Sequence, residues 1–159
     1  MTRKNHPRMR RLAGIVAAVS LLCAGLTALL ATPAAAEPVT TLATCYASSC
    51  TGLSPSATNC NDDAYTPSVS GKRFSIRTPE GILVRLRYSP SCRAAWARID
   101  SADPGDRVRV HSSNGANFPE TVPAGATAVH TRMVNDANLE AWACVREDSN
   151  QRLTCTDKY

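Results

Sequence analysis

The chain has 159 residues, with 18 Lys and Arg against 13 Asp and Glu, which gives a formal charge of +5. The whole excess lies in the first eleven residues, because residues 37–159 contain thirteen basic and thirteen acidic side chains. Residues 37–159 are therefore neutral overall, and their net charge does not attract a polyanion. The composition therefore argues against nucleic acid and anionic membrane as partners.

Residues 1–36 have the organisation of a secretory signal peptide. The basic stretch MTRKNHPRMRR precedes the apolar run LAGIVAAVSLLCAGLTALLA, and Ala34 and Ala36 supply the small residues of a cleavage site. A retained membrane anchor is the alternative, since about 20 apolar residues can span a bilayer. Cleavage after Ala36 is favoured by the small-residue signature. Lipidation of Cys23 is disfavoured, because Leu22 stands where a small residue is needed. We expect a secreted protein that is free of the membrane.

Residues 37–159 are expected to form a single domain, with residues 37–44 as a flexible N-terminus. Residues 37–71 are rich in Ser, Thr, Asn and Pro, which predicts an irregular segment. An even number of cysteines in an exported chain indicates disulfides. The paired CxxC spacing that is typical of zinc sites is absent. No metal and no other cofactor is predicted. The six cysteines of this part are Cys45, Cys50, Cys60, Cys92, Cys144 and Cys155.

Period-two alternation and Pro-containing turns predict an all-β fold, a small antiparallel barrel or sandwich stapled by disulfides. The clearest strand is 82–88, in which Ile82, Val84 and Leu86 share one side. Beyond the leader no segment has a sustained helical repeat. Further strands are predicted at 72–77, 94–99, 107–112, 127–134, 141–147 and 151–156.

A hairpin over residues 82–99 supplies the candidate ligand site. With Pro90-Ser91 as a two-residue turn, Leu86 faces Ala95 and Val84 faces Ala97, so this side is core. The other side carries arginines and a tryptophan, with Arg85 opposite Trp96. Indole stacks on sugar rings, and guanidinium groups bind phosphate or carboxylate. In the alternative interpretation Trp96 is a core residue and the arginines are solvated or paired. The candidate binding residues are Arg85, Arg87, Trp96 and Arg98.

A second hairpin predicts one disulfide. With residues 148–151 as a four-residue loop, Cys144 falls directly opposite Cys155, at the distance that a disulfide bridges. Three pairings stay open for the remaining cysteines, Cys45, Cys50, Cys60 and Cys92.

The segment LRYSPSCRAAWARI, residues 86–99, resembles an actinobacterial family of exported domains known as domain of unknown function 2690. Further matches are Cys45 to Cys50 followed by TGLSP, the later Cys60, and the segments at 131–134 and 143–144. The resemblance covers nearly all of residues 45–155. It implies a secreted domain to which no activity is assigned.

Two other patterns resemble a catalytic site and a metal site. His111 beside Ser112 and Ser113, with acidic residues nearby, suggests a hydrolase triad, but no G-x-S-x-G context accompanies it. The spacing of Asp100, Asp103 and Asp106 differs from a calcium loop and fits a polar turn. No catalytic residue and no metal ligand is therefore predicted.

These patterns favour a secreted, monomeric and non-catalytic binding module. Its expected partner is an extracellular ligand, either an anionic or glycan cell-wall polymer or a protein. One alternative is a proteinase inhibitor, because Arg93 follows Cys92 in the turn at 89–93. A small hydrolase is the third class.

Overall fold

The computed structural model describes residues 42–159. The predicted signal peptide, and residues 37–41 of the predicted flexible N-terminus, lie outside the described residues. Within residues 42–159 no helix has the length and apolar character needed to cross a membrane.

Two antiparallel sheets form the predicted all-β, disulfide-stapled fold, and their arrangement is a sandwich. Sheet A has the order β1 (Ser75–Arg77), β2 (Leu83–Ser89), β3 (Ala94–Asp100) and β6 (Ala128–His130), with β7 (Val134–Asn135) paired to the start of β3. Sheet B has the order β5 (Asn117–Thr121), β4 (Arg107–Ser112), β8 (Ala141–Arg146) and β9 (Leu153–Cys155). A 3-10 turn at Ala47–Cys50 precedes both sheets.

The core lies between the two sheets and follows from the alternation in the strands. Val84, Leu86 and Ile99 of sheet A belong to one buried cluster with Val108 and Val145 of sheet B. All five side chains are fully buried, and each stabilises the fold by about 1.5–3 kcal/mol relative to an exposed position. Because successive side chains point to opposite faces, the residues between them project from the outer faces.

One predicted strand is divided in the structure, one strand was not predicted, and the strands predicted at 72–77 and 151–156 are shorter, at Ser75–Arg77 and Leu153–Cys155. The prediction at 127–134 is interrupted between β6 and β7, where the buried Thr131 donates its N–H to Ala97 O at 2.9 Å. β5 was not predicted, because its sequence NFPET contains Pro119 and little apolar alternation. Proline is tolerated there since β5 is an edge strand that pairs only with β4.

The β2–β3 hairpin keeps the predicted faces but has a different register. Val84 pairs with Ile99 and Leu86 with Ala97, so the strands are shifted by two residues from the prediction. The cause is a four-residue loop over 90–93 in place of a two-residue turn, with Arg93 in the left-handed region at φ 46°. A shift of two preserves which side chains face the core.

Three disulfides are present among residues 42–159. Cys144 and Cys155 are direct partners on β8 and β9 and form a disulfide, so this prediction is confirmed. Of the three pairings left open by the sequence, the structure has Cys45 with Cys50 and Cys60 with Cys92. The Cys60–Cys92 bridge joins the irregular segment predicted at residues 37–71, which we call the N-terminal segment, to the β2–β3 loop.

Candidate functional site

The four predicted binding residues lie together on the outer face of sheet A. β2 carries Arg85 and Arg87, and β3 carries Trp96 and Arg98. In the observed register Arg87 is opposite Trp96 and Arg85 is opposite Arg98. The predicted direct pairing of Arg85 with Trp96 is therefore wrong, although the shared face is found.

Trp96 is buried, which contradicts its interpretation as an exposed platform for a sugar ring. Only 1% of its surface is exposed, because the indole packs in a second apolar cluster with Cys50, Cys60, Cys92 and Met133. The disulfides hold the N-terminal segment over this part of sheet A. Trp96 is thus a structural residue that forms the base of the site.

Two of the arginines share one carboxylate. Arg85 Nη2 donates a hydrogen bond to Asp100, and Arg98 Nη2 contacts the same carboxylate at 2.8 Å. Burial raises the pKa of Asp100, but the hydrogen bonds from Arg98 and Arg85 outweigh burial and hold this pKa below its usual value. Two guanidinium charges are consequently balanced by a single negative charge.

Arg87 is held against the N-terminal segment. Its Nη2 donates to Ala64 O at 2.6 Å. Burial lowers the pKa of Arg87, and the neighbouring charges of Arg85 and Arg98 lower it further. Burial is the largest cause of this shift, and the two neighbouring guanidinium charges act in the same direction.

These side chains line a groove of about 370 Å³ between sheet A and the N-terminal segment. We call it the sheet A groove. Three further residues line it that were not predicted as site residues. His130 is the direct partner of Arg98 on β6, and only the pairing of distant strands reveals this. Ser56 and Asn61 belong to the irregular segment, where no periodic signal marks them. The lining residues are Ser56, Asn61, Arg85, Arg87, Trp96, Arg98 and His130.

The outer face of sheet B carries a second group of arginines, which we call the sheet B cluster: Arg107, Arg109 and Arg146. Arg107 and Arg146 are direct cross-strand partners on β4 and β8. All three are exposed and line a cavity of about 230 Å³ together with His111. This cluster was missed, although the alternation Arg107-x-Arg109-x-His111 is a sequence signal for one polar face.

Comparison with known proteins gives a family for the chain. The family described as "Protein of unknown function (DUF2690)" matches residues 48–144, which is more than half of the chain. The chain belongs to this family. No curated protein and no solved structure matches it. The matched range of the DUF2690 domain contains the Cys60–Cys92 bridge and all the arginines of the sheet A groove.

The residues weighed as a hydrolase triad have separate structural roles in this DUF2690 domain. His111 stacks on Trp142 with ring centroids 5.1 Å apart, on the outer face of sheet B. Ser112 is buried and donates its hydroxyl to Asn135 O at 3.3 Å. Their side chains thus point to opposite faces, which does not form a nucleophile and base pair.

The acidic spacing weighed as a calcium site forms a turn. Asp106 is buried, and its carboxylate accepts the backbone N–H groups of Asp103 and Asp148, each at 2.8 Å. Asp100 is occupied by Arg85 and Arg98. The three carboxylates therefore serve the fold in different places.

The loop weighed as an inhibitor segment is fastened to the N-terminal segment. Asp63 accepts hydrogen bonds from Ser89 Oγ at 2.6 Å and from Ser91 N at 2.8 Å. Arg93 is half-buried and has a left-handed backbone. An inhibitory loop presents an extended chain to the proteinase, and the left-handed backbone of Arg93 departs from that conformation.

Proposed function

We propose that this DUF2690 domain is a secreted, non-catalytic module that binds an anionic polymer outside the cell through the sheet A groove. The observation that carries the proposal is the grouping of three guanidinium groups in a single groove, two of which share one carboxylate. An anionic group entering beside Arg98 supplies the missing negative charge. The ligand class is that of phosphate or carboxylate groups on a cell-wall polymer.

Arg98 is the residue best placed to meet the ligand. Its side chain is 45% exposed, while the Arg85 side chain is 30% exposed and Arg87 is tied to the backbone of Ala64. Asp100 holds Arg98 in position with bonds to both Nε and Nη2. The carboxylate therefore competes with an incoming anion for this guanidinium.

Secretion agrees with the three disulfides, which persist in oxidising compartments. Intact mass of the protein recovered from culture medium is expected to correspond to an N-terminus at Glu37, with six hydrogens fewer than the reduced chain. A protein retained in the cell with its leader, or one carrying free thiols at the bridged cysteines, would contradict this part of the proposal.

Co-sedimentation with purified bacterial cell wall, at low and high salt, tests the ligand class. Arg98→Ala is expected to weaken binding by about 10- to 150-fold, as loss of one charged hydrogen-bonding group costs about 1.5–3 kcal/mol. Asp100→Asn is expected to strengthen binding, because it removes the internal competitor for Arg85 and Arg98.

Arg152→Ala is a matched control for Arg98→Ala. The Arg152 side chain is 48% exposed and also paired, with Glu80 at 3.1 Å, but it lies outside the groove. Equal losses for the two variants would reduce the effect to net charge and contradict the proposal. So would an Asp100→Asn variant that stays folded and binds more weakly than the unmodified protein.

A further inference from the structure

The sheet B cluster places positive charges next to each other, and none of its three arginines forms an ion pair with a described residue. Arg107 and Arg146 are directly opposed across β4 and β8, and directly opposed like charges destabilise a sheet. Arg109 lies two residues further along β4 on the same face, a distance of about 7 Å. The outer face of sheet B therefore has an electrostatic cost that packing does not explain.

The registers show which side chains surround the arginines. The partners on the edge strands are Thr121 for Arg107, Pro119 for Arg109 and Leu153 for Arg146. None is acidic. Among residues 42–159 no carboxylate lies within ion-pair distance of any of the three guanidinium groups.

The polar neighbours of the cluster are few. Arg109 Nη1 donates to Asn117 Oδ1 at 3.2 Å, which leaves its charge uncompensated. Asp148 borders the adjoining cavity beside Arg107 and Arg146 without forming an ion pair. Lys158 at the far end of this face is paired with Glu140 at 3.6 Å. The unpaired charge is thus concentrated at the three arginines.

We propose that the sheet B cluster is a second binding site, which takes neighbouring phosphates of a phosphodiester polymer. One phosphate lies between Arg107 and Arg146, and the next lies beside Arg109. The two free oxygens of a phosphodiester can accept hydrogen bonds from guanidinium groups on two different strands, and the charge repeats along the polymer.

This site goes beyond the proposed function, because it lies on the opposite face of the sandwich from the sheet A groove. The core between the two sheets separates the outer faces, so one ligand group cannot occupy both sites. A domain with both sites binds two polymer strands at once and cross-links them. The sheet B site stands on its own contacts and survives a failure of the sheet A groove.

Fluorescence anisotropy with a labelled oligo(glycerol phosphate) tests the second site directly. The variant Arg107→Ala with Arg146→Ala is expected to lose at least about tenfold in affinity and to show a shallower dependence of affinity on salt. Its melting temperature is expected to equal or exceed that of the unmodified protein, because two opposed like charges are removed. Arg73→Ala with Arg77→Ala removes the same charge outside the cluster and is expected to change affinity less than about twofold.

Equal losses in the two double variants would overturn the proposal, since net charge would then explain binding. Binding of polygalacturonate as tight as that of the phosphodiester would overturn the phosphate assignment. Clustering of beads coated with the oligomer tests cross-linking. We expect clustering to require both Arg98 and the Arg107–Arg146 pair, and clustering that survives loss of the pair would contradict the two-site arrangement. If Arg98→Ala alone has no effect on any binding, the sheet A proposal fails while the sheet B site stands.

Discussion

Trp96→Ala is expected to lower the free energy of unfolding by about 3–5 kcal/mol, the range for deletion of a buried tryptophan side chain. Trp96 is the largest fully buried side chain among residues 42–159, and it packs against Cys60, Cys92 and Met133. Its removal leaves a cavity beneath the N-terminal segment. Urea denaturation followed by far-ultraviolet circular dichroism measures the change, because this signal comes mainly from the backbone and remains after the indole is deleted.

Trp142→Ala is the matched control for the Trp96 prediction. Trp142 is half-buried on the outer face of sheet B, between the ring of His111 and the ammonium of Lys158. We expect its loss to cost at most about 2 kcal/mol, as for a partly exposed position. Equal costs for the two substitutions would show that the cluster around Trp96 contributes little.

Trp96→Phe separates a structural role from a binding role. Phenylalanine keeps an aromatic ring in the cluster, so the domain is expected to fold and to bind cell wall with nearly unchanged affinity. A folded Trp96→Phe protein that no longer binds would show that the indole itself contacts the ligand.

The face of each strand could be predicted from local sequence, but the neighbours of that face could not. Alternation alone assigns Val84 to the core and Arg85 to the outside, and a register shift of two residues leaves this unchanged. The loop at 90–93 sets the register, and its geometry depends on Asp63, which lies far away in sequence. The type of turn at residues 90–93 was therefore the feature that local sequence predicted least well.

The burial of Trp96 depends on a pairing that the sequence left open. The bridge from Cys60 to Cys92 joins the irregular segment to the β2–β3 loop, and hydrogen bonds from Arg87 and Ser89 also hold this segment over the outer face of sheet A. The alternation of the strand alone assigns the indole to the surface. Contacts with a segment distant in sequence thus decide between the two interpretations of Trp96.

The sheet B cluster was missed for a related reason. The arginines of β4 are visible as an alternation, but their opposition to Arg146 requires the pairing of β4 with β8. These strands are separated by β5, β6 and β7 in the chain. Local patterns predict strands, whereas contacts between distant strands determine which charges meet.

Removal of the Cys60–Cys92 bridge by substitution of both cysteines with serine is expected to destabilise the domain by about 3–4 kcal/mol in the chain-entropy model. The bridge spans 32 residues of sequence, compared with 5 for Cys45–Cys50 and 11 for Cys144–Cys155. Because loop-closure entropy grows with loop length, the Cys45–Cys50 bridge is expected to contribute less, about 2 kcal/mol. Urea denaturation of the three double variants gives the order.

The variant Cys60→Ser with Cys92→Ser also tests how the sheet A groove is built. Ser56 and Asn61 form one wall of the groove, and Cys60 lies between them in the chain. When the segment is released, water reaches Trp96, so its native-state fluorescence is expected to shift to longer wavelength and cell-wall binding is expected to fall. The Cys144→Ser with Cys155→Ser variant controls for lost stability, because its bridge lies in sheet B and leaves the groove wall in place. Equal losses of binding in the two variants at equal stability would show that the N-terminal segment covers Trp96 without shaping a ligand site.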